Sequence, residues 1–421
     1  MCERFAEIRG LGGRMATAVL VTCCASALLS GCSGGSVGSP EKETAGIVDE
    51  TASYEDGLLP FGIEGVVSDA PVIEVADSAE ETFLEDAWSF GGDYSDIGSF
   101  PLDGNTVFGS HSDDADDVTS YAAALLKEDG VETLEQLPDD PLRYYEPQDG
   151  SGNADRVVWR SSLVGETAQM FADDWRLQVW DAERGEVRTL GTSQDIDGRT
   201  TFQAYGDVVP TMNEEDVYFS TAMQDGDAWR AVVVSCELSG SGCGIVAEGG
   251  YPAAVDGGVL FAKRAAEDGE PLGFSEVSLL AAGEETTLLS IVPDGSSWRV
   301  SGVWAHGDKC AVAFSSDEST AGSYIGVWDD SFATSVAWLH VEAQTVVASM
   351  NEEWLVWGSG SQTEHAEMYA FDLNEDRIAL LGVAPGYSRP AIAQDSNAVL
   401  LPVYGGPSDP VRFEVGMLPS F

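Results

Sequence analysis

One turn-and-strand pattern returns seven times between residue 103 and the C-terminus, and it limits the fold more than any other feature of the chain. The turns are Asp103-Gly104, Gly152-Asn153, Asn213-Glu214, Asp256-Gly257, Gly307-Asp308, Asn351-Glu352 and Asp395-Ser396. An apolar run follows each: Thr106-Val107-Phe108, Val157-Val158-Trp159, Val217-Tyr218-Phe219, Val259-Leu260-Phe261, Ala311-Val312-Ala313-Phe314, Trp354-Leu355-Val356-Trp357 and Val399-Leu400-Leu401. Asp, Asn and Gly close tight turns, and β-branched and aromatic side chains suit the pleated surface of a strand. The clearest copy predicts strands over residues 345–349, 354–358, 367–371 and 377–381, each bounded by turn residues.

A unit of roughly 40–50 residues holding four short strands cannot bury its apolar faces alone, so neighbouring copies have to stack. That is the pattern of a propeller blade, and the chain is expected to be all-β: a seven-bladed β-propeller of four-stranded antiparallel blades. Two further matches fall at fixed places in the unit. Leu177-Gln178-Val179-Trp180-Asp181, Gly326-Val327-Trp328-Asp329 and Met368-Tyr369-Ala370-Phe371-Asp372 end third strands; Gly250-Tyr251-Pro252-Ala253 and Gly386-Tyr387-Ser388-Arg389-Pro390-Ala391 lead into first strands. In these features residues 82–421 resemble the repeats of WD40-like and TolB-like propellers. The resemblance is one of architecture and implies no enzyme or ligand, and no Gly-His dipeptide accompanies the Trp-Asp positions.

After Asp395-Ser396 the chain supplies strands at 399–403 and 411–415 and then stops one strand short of a blade. Residues 82–90 are strand-like and precede Gly92-Asp93-Tyr94 as a fourth strand would. They are expected to pair with 411–415, so that an N-terminal strand completes the last blade and no sheet edge is left open.

At the N-terminus, Arg4, Arg9 and Arg14 precede an apolar run over residues 16–29, too short for a comfortable membrane span, which reads as a signal peptide; the start is Met1 or Met15, and a Met15 start leaves a weak positive region. It ends in Leu29-Ser30-Gly31-Cys32, which closely resembles the lipobox of bacterial lipoproteins. The resemblance implies removal of residues 1–31 and acylation of Cys32, hence a lipid-anchored protein on the extracytoplasmic face of the cell membrane. Residues 32–81, rich in Ser, Gly and acid at their start, are assigned to a flexible acidic tether, and residues 82–421 to the propeller. Within the tether, Gly62-Ile63 and Val72-Ile73-Glu74-Val75 fit either packing on the propeller or disorder.

With 72 acidic against 20 basic side chains, the chain carries a formal charge of −52. That argues against nucleic acid and anionic lipid as partners and implies a solvated, self-repelling surface; the protein is expected to be a monomer. Cys236 and Cys243 flank a Gly/Ser hairpin turn and are expected to form a disulfide in an oxidising exterior. Cys310 begins an apolar strand and is expected to stay a buried thiol.

Catalytic patterns are sparse among four histidines, with no nucleophile elbow, metal-spaced His pair or phosphate loop, so no catalytic residue, metal or cofactor is assigned. The loop His111-Ser112-Asp113-Asp114-Ala115-Asp116-Asp117 holds many oxygens but lacks the spacing of a calcium loop. Segments leading into first strands carry Tyr94, Tyr144, Tyr145, Tyr205, Tyr251, Trp298 and Tyr387. These either stack on a sugar or peptide ligand at the channel mouth or wedge neighbouring blades. Trp88, Trp159, Trp180, Trp229, Trp328 and Trp357 are expected to pack between blades. The chain thus reads as a lipoprotein whose propeller is a binding or interaction scaffold for an extracellular glycan or protein. The alternative is a glycan-active hydrolase or lyase on the same fold.

Overall fold

The computed structural model describes residues 59–113, 121–135, 143–165, 174–203, 209–226, 228–240, 242–264, 273–292, 296–318, 321–329, 332–360, 365–385, 389–403 and 411–419. They form seven sheets, and Phe61–Phe421 make one compact unit. Blade 6 shows the repeat: Thr345–Met350, Trp354–Gly360, His365–Asp372 and Arg377–Pro385 pair antiparallel in sequence order. Three of the four strands start where the sequence places them, the third starts two residues earlier at His365, and all four end one to four residues later than expected. Blade 1 begins with Asp96–Pro101, blade 2 with Arg143–Gly152, blade 4 with Gly250–Val255, blade 5 with Trp298–His306 and blade 7 with Ala391–Ile392. In blade 3 the inner strand is split into Phe202–Gln203 and Thr211–Met212, both paired with Asp216–Asp225.

The seventh blade is made from both ends of the repeat region. Ala391–Ile392, Ala398–Val403 and Arg412–Met417 are followed in space by Glu85–Gly91, with Phe90 opposite Phe413 and Trp88 opposite Val415. This is the closure the sequence called for.

The stretch assigned to the tether differs from its expectation over residues 61–81. Gly62–Glu64 pairs antiparallel with the outer strand of blade 4, Val72–Glu74 lies parallel to that of blade 5, and Glu80–Glu81 lies parallel to that of blade 6. A strap therefore runs over three blades before the chain enters blade 7, and the propeller unit starts at Phe61. The physical reason is that an outer strand has one unpaired edge, and a neighbouring extended segment satisfies it.

Blade faces meet through period-2 alternation. In Trp354–Gly360, Leu355 and Trp357 pack toward blade 5, against Ala311 and Val327, whereas Trp354 and Val356 pack toward blade 7, against Val399 and Leu401. Similar shared cores join blades 1 and 2, 2 and 3, 3 and 4, and 7 and 1. Trp159, Trp328 and Trp357 are fully buried, and each such ring takes ~150–250 Å² from water, on the order of 4–6 kcal/mol. Trp229 departs from its expectation: it is 42% exposed and meets Phe202 edge-on. It lies near the tip of the long hairpin formed by Asp216–Asp225 and Ala228–Glu237, beyond the reach of a neighbouring blade.

Side chains also stitch the blades together. Asn351 accepts from the backbone N–H groups of Glu353 and Trp354 at 2.9 and 2.8 Å and donates to the Ala393 and Ser396 carbonyls of blade 7 at 3.1 and 2.9 Å. Asn213 does the same between blades 3 and 4, accepting from Glu215 and Asp216 and donating to Val255 and Gly258. Two residues before each Asn, a hydroxyl reaches the next inner strand: Thr211 accepts from the Ala254 N–H and Ser349 from the Ile392 N–H. Ser151, two before Asn153, donates to the Pro210 carbonyl.

Candidate functional site

The inner strands converge on a central channel lined by segments of all seven blades and enclosing about 770 Å³ of empty space, part of it open to solvent. Close approach of seven strands demands small side chains, and the lining supplies Ser99, Gly150, Ser151, Ala253, Ala348 and Ala391 among them. Bulges shift the register of inner strands at Gly98/Phe100 in blade 1, opposite Trp159/Ser161 in blade 2, between Gly250 and Ala253 in blade 4 and between Val300 and Gly302 in blade 5. Such bulges bend a strand and re-aim its side chains, as at many binding mouths.

Arg389 is the one charged residue among those lining the channel, and its guanidinium pairs with Asp149 at 2.9 Å, linking blade 7 to blade 2 across blade 1. The hydroxyls of Ser151, Thr211 and Ser349 are spent on neighbouring blades. Aromatic surface comes from Phe100 and Trp304, apolar surface from Val209, Val303, Met350 and Ile392. Chemically this is a receptor wall: it offers shape, stacking surface and one ion pair. Below it, His306 is held under its usual value by burial, opposed by the carboxylates of Glu352, Asp395 and Asp256.

On the upper face, which carries the connections between blades, five of the seven aromatics named from the sequence lie among the described residues. Trp298 is 4% exposed and packs on Phe61 and Tyr324, with centroids 4.7 and 5.5 Å away. Tyr144 is buried and its hydroxyl donates to Glu146 at 3.3 Å. Tyr145 is covered by the Arg176 guanidinium, 3.4 Å above its ring. Tyr94 has a positive φ and its carbonyl accepts from the Tyr121 hydroxyl, while Tyr251, also at positive φ, meets Phe274 edge-on at 5.7 Å. Tyr205 and Tyr387 lie outside the described residues. Trp298, Tyr144, Tyr145 and Tyr251 thus have intramolecular partners for their side chains, whereas Tyr94 is engaged through its carbonyl.

A polar cluster that the sequence did not reveal sits where blades 1 and 2 meet. Burial raises the Glu146 carboxyl to about 7, against the lowering effect of its Tyr144 hydrogen bond. Burial also pushes the Tyr121 and Tyr144 hydroxyls above their ordinary value, with the Glu146 charge next in effect. His111 Nδ1 lies 2.7 Å from Asp96 and its Nε2 3.3 Å from Asp113. Of the acidic loop, residues 114–117 lie outside the described set. Among the described residues no group of three or more His, Cys, Asp or Glu is placed to hold a metal ion.

Cys236 and Cys243 are directly opposite on neighbouring strands of blade 3 and are bonded to each other, and Cys310 is a buried thiol. Cys32 and the segment before it lie outside the described residues; among those described, no helix is long and apolar enough to cross a membrane. The Ser/Thr-x-Asn triplets Ser151-Gly152-Asn153, Thr211-Met212-Asn213 and Ser349-Met350-Asn351 recur at one place in the repeat, a legible signal of the stitch that the turn pattern alone passes over.

The class defined by this ring of seven blades is the seven-bladed β-propeller; comparison with solved structures finds the following likenesses. An oligogalacturonate lyase in complex with manganese superposes with a TM-score of 0.51 at 10% identity, over 86% of this chain and 98% of that one. TolB from Acinetobacter baumannii aligns over 65% of this chain and 78% of its own at 11% identity and a TM-score of 0.37. A chain of the COPII outer coat vertex on membranes does so over 78% and 85% at 13% identity and 0.48. The likeness is one of fold. The sequence matches no protein family description and no curated protein.

Proposed function

We propose that the protein is a lipid-anchored, extracytoplasmic lipoprotein whose propeller is a scaffold that binds a ligand or protein partner in and above its central channel. The observation that carries this reading is the channel wall: small and apolar side chains from seven blades surround one ion pair, Arg389–Asp149, and three wall hydroxyls are turned to neighbouring blades. A concave site of mixed polar and apolar lining, with a charged pair at its wall, has the make-up of a place that can hold a ligand. The anchor rests on the arginines, the apolar run and Leu29-Ser30-Gly31-Cys32.

Two experiments test the two halves. Cys32→Ala should move the protein from the detergent-extracted membrane fraction to the medium or leave it unprocessed; a variant that still partitions with membrane removes the anchor from the proposal. A panel of polysaccharides and peptides, read for both binding and product, tests the scaffold. Binding without cleavage, weakened by Arg389→Ala, supports it.

The second reading, a glycan-active hydrolase or lyase, draws on the carboxyl of Glu146, raised to about 7, beside Tyr144 and near the Asp96–His111 pair. Perturbed acids in a cleft are where general acid–base chemistry is found. New reducing ends or unsaturated products, lost in Glu146→Gln, would establish that reading in place of the first. The manganese bound by the oligogalacturonate lyase has no counterpart ligand set among the described residues.

A further inference from the structure

The strap buries its first residue in a cage of aromatic rings. Phe61 is 7% exposed, with its ring centroid 4.7 Å from Trp298, 5.1 Å from Phe314, 5.9 Å from Tyr324 and 6.3 Å from Trp338, all at the upper end of blade 5. The three residues that follow lie in register against the outer strand of blade 4: Gly62 opposite Val292, Ile63 opposite Ile291, Glu64 opposite Ser290. An aromatic anchor followed by main-chain pairing to a sheet edge is how many domains take up an extended peptide.

The local geometry also writes a side-chain code. A Cβ at Gly62 would stand 2.7 Å from Val292 Cγ2, so the position after the aromatic admits little beyond glycine. Gly65 has a φ of +95°, and a Cβ there would lie 2.1 Å from the Leu288 carbonyl oxygen. Ile63, between them, is half-buried.

The occupant is not one of the four strands of any blade, although further along the strap Val75 is buried in the core of blades 5 and 6 and the Val67 carbonyl accepts from the Trp328 indole. Strap and blades pair over strands of three, three and two residues, and blades 4, 5 and 6 each have four strands of their own without it. Glu85–Gly91, by contrast, is the fourth strand of blade 7, and its loss opens the propeller. Segments with few pairing partners open locally at far lower cost than the whole domain.

We propose that the upper end of blade 5, with the edge of blade 4, is a binding site for an extended peptide of the pattern aromatic-Gly-aliphatic-x-Gly, and that Phe61-Gly62-Ile63-Glu64-Gly65 is its resident, exchangeable occupant. The site is separate from the channel and stands whether or not the channel holds a ligand. A partner segment with this pattern enters when the strap lifts, and the strap competes with it until then.

The test uses full-length protein and a fluorescein-labelled peptide of residues 59–67. Phe61→Ala empties the cage but leaves its walls, so the peptide should bind this variant at least tenfold more tightly than wild type. A peptide carrying Phe61→Ala, and another carrying Gly62→Ala, should each lose at least tenfold. Equal affinity for wild type and variant, or equal binding of the altered peptides, overturns the proposal. An independent reading needs no variant: in wild-type protein, hydrogen exchange over residues 62–74 should run at least tenfold faster than over 85–91. Exchange of both segments at one common rate would show that the strap leaves only when the ring unfolds, and would overturn exchangeability.

Discussion

Asn351 satisfies four backbone groups with one side chain that is 3% exposed, and two of those groups belong to the next blade. Truncation leaves buried carbonyls and N–H groups without partners, and each such loss costs about 1–3 kcal/mol less whatever water recovers. Asn351→Ala should therefore destabilise the protein by roughly 2–4 kcal/mol in urea unfolding. Asn213→Ala should cost somewhat less, since one of its inter-blade bonds is 3.5 Å long, and Asn153→Ala less again, its Oδ1 serving Asp155 and Arg156 within its own turn. A change within about 0.5 kcal/mol for Asn351→Ala, as at an ordinary surface site, would refute the stitch. The turn was legible in the sequence; its reach into the next blade was not, because the partners lie 42 and 45 residues away. Glu146 makes a prediction of a different kind. Below pH 4.5 its carboxyl is protonated in both states; between 4.5 and about 7 the unfolded chain gives up the proton while the folded site keeps it. Stability thus falls as pH rises through that window, by up to about 3 kcal/mol from this group. Melting curves of Glu146→Gln should lose less between pH 5 and pH 7.5 than those of wild type. Parallel curves would mean the site is wetter than its surroundings suggest.

Glu85–Gly91 is held at the scale of a strand: Phe90 stacks on Phe413 at 5.3 Å, and the Trp88 indole N–H donates to the Gly104 carbonyl of blade 1 at 2.8 Å. Phe413→Ala removes the facing ring at a buried site and should cost about 3–5 kcal/mol. Because blade 7 is the joint of the ring, calorimetry should still show a single transition, displaced downward. Two separate transitions would mean that blade 7 melts alone. The pairing of the chain's two ends was readable because each end showed an incomplete blade with its apolar pattern intact. The strap was not readable in the same way: strands of two or three residues are too short to display a period, and pairing with strands far away in sequence leaves no hairpin turn to mark them. The same segment decides between the two readings that the sequence left open for Trp298, ligand surface or packing, in favour of packing. Its face is covered by Phe61, and no local pattern announces a contact between residues so far apart.

For the molecule as a whole, the charge of −52 opposes compaction. Surface ion pairs such as Arg230–Glu248 and Lys127–Glu132 offset little, each worth about 0–1 kcal/mol. With 20 cations to 72 acids, repulsion outweighs pairing. Raising salt from about 0.01 M to about 1 M shrinks the screening length from ~30 Å to ~3 Å and should raise the melting temperature. A flat or falling dependence would show that the ion pairs carry more than their exposure implies.

The joint in blade 7 also sets a timetable. Glu85–Gly91 is made long before its partner Arg412–Met417, so the ring cannot shut until the third strand of blade 7 has been made. Joining them closes a loop that spans almost the whole chain, and such long-range pairing is slow to form. Until then Arg412–Met417 and Glu85–Gly91 each present an unpaired edge, a period of exposure to aggregation. Once shut, the ring has no free-ended blade from which unfolding can start at small cost. The lifetime of this protein in a hostile setting is therefore governed by the rate at which one strand peels away, and two chains of equal equilibrium stability, one with the joint and one with a free seventh blade, would differ in half-life.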